Sequence, residues 1–329
     1  MDRRRFVAIM GGTLLSAPSG LLAQQSRGKM FQIGYVGNST PSAEANLVEA
    51  FRLGLRERGW TEGKDVVVHF RWAEGRNDRI AGIIAEFVEF KVDVIVTSGI
   101  LAALAAKKAT SVIPVVMAGA GDPVNMGVVA SLSRPGGNIT GLSALYTDLE
   151  GKRLEILREL VPKMSRLAVL TNPDNPFTRL TLKTALGAAE SQRLRAQVHE
   201  VRAADEFERV FAAIAKARPD ALAVLADRPF FFSNRARIVQ LAARHRLPAI
   251  YPFPEFVEEG GLVYYGPSFV GMFRGAANYV DKILRGARPG DLPIEQPTKF
   301  ELTINLKAAR ALGVRIPQSV LLRADRVIE

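Results

Sequence analysis

From residue 31 onward, short unbroken apolar runs alternate with longer stretches whose apolar positions recur every three or four residues. FQIGYV over 31–36 has the length and composition of a buried strand. Residues 43–59 put Leu47, Phe51 and Leu55 on one helical face and stop at Gly59. The spacing then predicts a strand over 65–72, a helix over 77–90, a strand over 92–98, an Ala-rich helix to Thr110 and a strand over 113–119. The second half repeats the pattern. Strands are expected over 166–171, 196–202, 219–227, 247–253 and 262–266, and helices over 176–194, 204–218 and 233–246. The halves align at an offset of about 130 residues, with VDVIVTS at 92 matching PDALAVLAD at 219 and IPVVMA at 113 matching LPAIYP at 247.

Continuous apolar strands separated by helices form parallel sheets covered on both faces. Two such units in tandem predict an α/β chain of two doubly wound parallel-sheet lobes. The Gly- and Pro-rich stretch 134–147 reads as the hinge between them. In open α/β sheets ligands bind beyond the carboxyl ends of the strands, so two facing lobes would share one cleft.

Composition narrows the class. A chain of 329 residues exceeds one ordinary core, and 48% hydrophobic with 23% charged residues excludes a disordered chain. With no cysteine, disulfides, thiolate metal sites, a cysteine nucleophile and a lipid-modified cysteine anchor are all excluded. His69, His199 and His245 lie far apart without metal-ligand spacing, so neither a metal nor a cofactor is expected. The net charge of +11 raises nucleic acid as a partner. The arginines, however, are spread beside acidic residues and form no basic stripe interleaved with aromatics, so no nucleic acid is expected.

The N-terminus is an address. Arg3, Arg4 and Arg5 precede an apolar run from Phe6 to Leu22, and Arg-Arg-Arg-Phe-Val is similar to the twin-arginine signal. Residues 1–23 are expected to be removed after Ala23, which takes three arginines and one aspartate and lowers the net charge from +11 to +9. The apolar run is too short and glycine-rich to cross a bilayer comfortably, so an exported chain without stable membrane insertion is expected.

The strand ends carry the candidate chemistry. They are Asn38, Ser39 and Thr40; Ser98, Gly99 and Ile100; Ala120 and Asp122; Asn172 and Asn175; Asp227; Tyr251; and Tyr265. Helix N-termini with free N–H groups favour an anion, and Ser98 with Gly99 is the first choice for a carboxylate. Each of these residue types is equally a common cap or turn former, so their convergence matters more than any member. Neither a G-x-S-x-G elbow, an H-E-x-x-H pair nor a P-loop occurs, and no nucleophile accompanies Asp122, Asp227 or Glu255. An enzyme is therefore not expected.

Four stretches are familiar: VEAFRLGLRERGWTEGKDVVVHFRWAEG (48–75), DPVNMGVVASLSRPGGNITGLS (122–143), YPFPEFVEEGGLVYYGPS (251–268) and PTKFELTINLKAARALGVRIP (297–317). On these the chain resembles the ABC transporter substrate-binding proteins that include tryptophan- and tyrosine-binding lipoproteins. The resemblance implies a type I periplasmic-binding-protein fold, with a signal at 1–23, one lobe over 30–145 joined by 268–298, and the other over 146–267 joined by 299–329. It implies ligand loops at Asn38 to Thr40, Ser98 to Ile100, Ala120 to Asp122, Asn172 to Asn175, Asp227 and Tyr251. It also implies a monomer in the periplasm that hands a small organic solute to the permease subunits of an importer. An aromatic or branched carboxylate or amino acid is the expected solute, from Tyr251, Tyr265, Phe230 and Ile100. Ile100 stands where many relatives carry Thr or Pro, which removes one hydroxyl from carboxylate recognition, and Arg228 adds a positive charge near the cleft. A sensory protein presenting its ligand to a membrane receptor is the alternative, and a periplasmic hydrolase a more distant one.

Overall fold

The computed structural model describes residues 29–329, so the expected leader and its cleavage site fall outside the described residues. The first sheet has five parallel strands in the order β2-β1-β3-β4-β5: β1 (Phe31–Gly37), β2 (Val66–Trp72), β3 (Val94–Thr97), β4 (Val115–Ala120) and β5 (Ile139–Ser143). Three helices alternate with them: α1 (Ala45–Glu57), α2 (Asn77–Glu89) and α3 (Ile100–Ala109). β3, β4 and β5 are buried at every position, which is why their sequences are apolar without alternation.

The second sheet has seven strands in the order β12-β11-β10-β9-β8-β6-β7, parallel except where β11 runs against β10. The chain enters it through α4 (Tyr146–Leu160), then runs β6 (Arg166–Thr171), α5 (Pro176–Ser191), β7 (Arg195–Glu200), α6 (Phe207–Ala217) and β8 (Ala221–Val224). The short α7 (Phe230–Ser233) and α8 (Arg235–Arg244) lead to β9 (Ala249–Tyr251), α9 (Pro254–Glu258) and β10 (Val263–Pro267). α10 (Phe269–Leu284) then leaves this sheet and packs on α1 and β4 of the first. The chain returns through β11 (Phe300–Asn305), α11 (Leu306–Leu312), α12 (Gln318–Leu321) and β12 (Arg326–Ile328). Three segments therefore cross between the sheets: Ala144–Leu145, Ser268 and the stretch before β11.

Local sequence sets these elements. Asn175 accepts the Phe177 amide at 3.0 Å and Pro176 fixes the first helical position, so α5 starts where its strand-end loop finishes. α10 presses Phe269, Met272, Phe273, Ala276 and Val280 inward, and a side chain on Gly54 of α1 would meet the Arg274 carbonyl at 2.5 Å. The absence of that side chain lets the two helices approach.

One expectation is corrected. The stretch 134–147, read as hinge, contains β5, which pairs with β4 through Val115↔Ile139 to Ala120↔Ser143. Only Ala144 and Leu145 make the crossing, and Leu145 takes a left-handed backbone, φ 54°. The glycines and proline before the strand form the turns that deliver the chain to the edge of the sheet.

Candidate functional site

The two sheets point their carboxyl ends at each other, and a cavity lined by residues of both lobes lies between them. The first lobe contributes Asn38, Gly99, Ile100, Leu101 and Gly121. The second contributes Tyr146, Asn175, Phe177, Ala226, Arg228 and Phe253, and Phe269 closes the wall at the start of α10.

Arg228 dominates the electrostatics. Its side chain is 8% exposed, and its guanidinium sits over the rings of Phe232, Phe253 and Phe269 at 4.5, 4.8 and 4.7 Å. The rings stabilise the cation through their negative faces but accept no hydrogen bond in the guanidinium plane. Among the described residues, Nε, Nη1 and Nη2 all lack a hydrogen-bond partner. The nearest carboxylate, Glu255, stands 3.8 Å away, too far for a hydrogen bond, and both its oxygens are also unpaired. Burying an unpaired guanidinium costs several kcal/mol by the usual desolvation argument, so this arrangement is suited to an acceptor that enters the cavity.

Two further carboxylates surround the site without facing it. Asp227, wholly buried, accepts from Asn172 Nδ2 at 2.6 Å, from Asn175 Nδ2 at 3.1 Å and from the Phe230 amide at 3.4 Å. Both asparagines are fixed in orientation, because Asn172 Oδ1 accepts the Asp174 amide and Asn175 Oδ1 the Phe177 amide. Glu44, at the foot of α1, gathers the amides of Asn38 and Ser39 on Oε1 at 3.1 and 2.9 Å, shaping the first strand-end loop. Burial raises the carboxyl pKa of Glu44, Asp227 and Glu255; Arg228 offsets the rise at Glu44 and Glu255, the asparagine hydrogen bonds at Asp227.

Asp227→Asn would set an amide NH₂ against one of the two asparagine donors. We expect a loss of about 1–3 kcal/mol, the cost of an unsatisfied buried group. The native pKa of Asp227 lies above the unfolded value of roughly 3.9. Wild-type stability from this group therefore grows as pH falls through the native pKa, and the deficit of the variant should be smallest at high pH and widen on acidification. Urea unfolding at several pH values measures this; a deficit that shrinks with acid would contradict it.

The sequence-selected residues divide clearly. Asn38, Gly99, Ile100 and Asn175 line the cavity. Ser98 lies beneath it, its carbonyl and hydroxyl taken by Asn38 Nδ2, so the first-choice carboxylate site shrinks to Gly99 and the start of α3. Asn172 and Asp227 form the supporting network just described. Ala120 is the buried last residue of β4, and the wall is made by Gly121 after it. Ser39 is buried beside the cavity mouth, 3.4 Å from Ser233 of the other lobe.

The others are placed elsewhere. Thr40 is exposed and accepts the Ala43 amide ahead of α1. Asp122 accepts the Asn125 amide at 3.0 Å and its side chain at 2.5 Å, which makes it a turn former. Tyr251 stacks on Phe256 at 5.1 Å and faces a separate cavity beside Leu262 and Leu312, since β9 ends at this residue and the shared cleft begins beyond it. Tyr265, paired with Leu302 across β10–β11, stacks diagonally on Phe300, and Phe230 stacks on Phe207. The aromatic wall is instead Tyr146, Phe177, Phe253 and Phe269.

Gly121 and Gly75 are where the lobes touch. A side chain at Gly121 would lie 2.4 Å from the edge of the Phe177 ring, and one at Gly75 would lie 2.7 Å from Ser233 Oγ and 3.0 Å from the Pro229 carbonyl. Small residues at these points let the lobes meet around the cavity.

Two matched α/β lobes with their strand ends on a shared cavity make the type I periplasmic-binding-protein fold. The chain belongs to the ABC transporter substrate binding protein family, whose model matches residues 39–328. A tyrosine-binding protein of Clostridioides difficile (strain R20291) is 25% identical over 267 residues, which is 81% of this chain and 76% of that protein. A conserved domain protein of Vibrio cholerae superposes with a TM-score of 0.86 at 26% identity, covering 91% of this chain and all of that one. The ABC domain from Streptococcus pneumonia, crystallised with L-Trp, gives 0.85 at 25% identity with the same coverage.

Proposed function

We propose that this chain is the periplasmic solute receptor of an ABC importer, and that Arg228 anchors the carboxylate of its solute within the inter-lobe cavity. The observation that carries the reading is the guanidinium itself: deeply buried, on the cavity wall, with every N–H unpaired. Asn38, Gly99, Ile100 and Asn175 frame the solute, while Asn172, Asp227, Ser39 and Ser98 hold the loops. The tyrosine and tryptophan of the relatives support a solute that joins a carboxylate to an apolar body. The N-terminal sequence supports export through a leader at 1–23, and the family supports delivery to permease subunits. Among the described residues no helix is long and apolar enough to cross a membrane, which is compatible with that role.

The working cycle is closure of two lobes, 30–145 with 268–298 and 146–267 with 299–329, around the solute. A thermal-shift screen of amino acids and organic acids tests capture, since a ligand that binds the folded chain raises its melting temperature by mass action. If nothing carrying a carboxylate raises it, the reading fails. Closure has its own test. Gly121→Val would wedge the valine against Phe177 at a cost of about 1–3 kcal/mol to the closed form. Apparent affinity should fall about 5- to 150-fold, and solution scattering should show less compaction on adding ligand. Unchanged affinity and compaction would remove Gly121 from the closing contact.

A further inference from the structure

We infer that the cavity selects a monocarboxylate that lacks an α-ammonium group, a free organic acid with an aryl or branched alkyl body, over the corresponding amino acid. This rests on the reading of Arg228 as the carboxylate anchor and specifies what that site accepts.

The cavity wall carries one formal charge, and it is positive. No Asp or Glu lines it. Of the three acidic residues nearby, none on that wall, Asp227 is enclosed by two asparagine amides and a backbone N–H, Glu44 is buried and takes the Asn38 and Ser39 amides on Oε1, and the unpaired Glu255 carboxylate already lies 3.8 Å from the guanidinium. An α-ammonium is a compact cation with three donors, and losing its water without an anionic partner is expensive. Here it would also sit a bond or two from a carboxylate already held against Arg228, adding a like charge beside the guanidinium.

Aromatic faces could hold a cation, but Phe253 and Phe269 already face Arg228. Neutral acceptors are few: Asn38 spends its nitrogen on Ser98 and leaves only Oδ1, one acceptor against the three donors of an ammonium. Asn175 uses its oxygen on the Phe177 amide and its nitrogen on Asp227. Tyr146 directs its hydroxyl to the Pro252 carbonyl at 3.4 Å, and Ile100 adds none. What is left is a small apolar chamber of Ile100, Leu101, Phe177 and Pro229 with a guanidinium at one side.

The test is calorimetric titration of the mature chain with matched pairs: each apolar or aromatic L-amino acid and its deaminated acid, such as L-phenylalanine with 3-phenylpropanoate and L-leucine with 4-methylpentanoate. At least one acid should bind, at least tenfold tighter than its amino acid. Arg228→Lys, which keeps a positive charge but loses the planar fork, should weaken that acid without reversing the preference, and Arg228→Gln should abolish its binding in a chain that circular dichroism shows to be folded. An amino acid bound as tightly as its acid, or more tightly, overturns the inference and leaves solute capture intact. Acid binding that survives unweakened in both variants overturns it too, because the anchor would then lie elsewhere. If neither class binds, the inference falls together with the proposed function.

Discussion

Arg228→Gln is expected to lower affinity for a carboxylate-bearing solute by at least about 100-fold while the chain stays folded. A hydrogen bond between charged partners is worth roughly 1.5–3 kcal/mol, and a guanidinium can make two in parallel to a carboxylate. Each factor of ten in affinity is about 1.4 kcal/mol, so two such bonds lost exceed the hundredfold threshold. Folding should survive because no protein group relies on Arg228 for a hydrogen bond: its three nitrogens are unpaired and Glu255 stands 3.8 Å off. The glutamine amide fills much of the same space over Phe253 and Phe269. With the guanidinium gone, Glu255 and Glu44 lose the neighbour that eases their ionised forms, and their pKa values should move further up. The measurement is a calorimetric comparison of wild type and variant with a solute found in the screen. Affinity within threefold of wild type would mean that the carboxylate docks elsewhere, and the start of α3 would be the next place to look.

The strands were the most legible part of this chain. β1, β3, β4, β6, β8 and β9 pass through sheet interiors, so Val94–Thr97 or Ala221–Val224 can be apolar at every position and stand out against any helix. β5 was hidden because an edge strand of five residues, preceded by Pro135, Gly136 and Gly137, looks like the loop that leads into it. Cavity-lining residues at the ends of their own strands, Asn38, Gly99 and Asn175, are marked by position alone. The aromatic wall could not. Phe177 and Tyr146 sit in the first turns of helices, and Phe269 opens a helix that returns from the far lobe, so only tertiary folding brings their rings together. Tyr251 misled for the opposite reason: it ends an apolar strand, yet the chain reaches the cleft only two residues later, at Phe253. Glu44 left no mark at all, since a glutamate ahead of an amphipathic helix reads as surface.

α4 escaped sequence reading because two charges interrupt its apolar face, and those charges underlie the largest stability effect expected here. Glu150 and Arg153 lie one turn apart, each 1% exposed, with Arg153 Nη1 donating to Glu150 Oε1 at 2.8 Å. Nη2 of the same arginine donates to the Val224 carbonyl on β8 at 3.0 Å, fastening the helix to the sheet. The pair is not fully satisfied, because Glu150 Oε2 and Arg153 Nε have no partner. A pair of this kind contributes little net stability compared with apolar residues of the same volume, yet breaking it on one side strands a buried charge. Arg153→Met should therefore cost about 3–5 kcal/mol, a large share of the roughly 5–15 kcal/mol that holds a typical protein folded. Burial already pushes the Glu150 carboxyl up, and without Arg153 it should rise further and take up a proton, so the loss should be smaller in acid than at neutral pH. The double variant Glu150→Leu, Arg153→Met removes both charges and should recover most of the stability, which makes the two substitutions strongly non-additive. Denaturant unfolding of the two single variants and the double variant decides the matter. If the double variant is as unstable as the sum of its parts, the pair does not act as a unit, and the bond from Arg153 to the sheet is what matters.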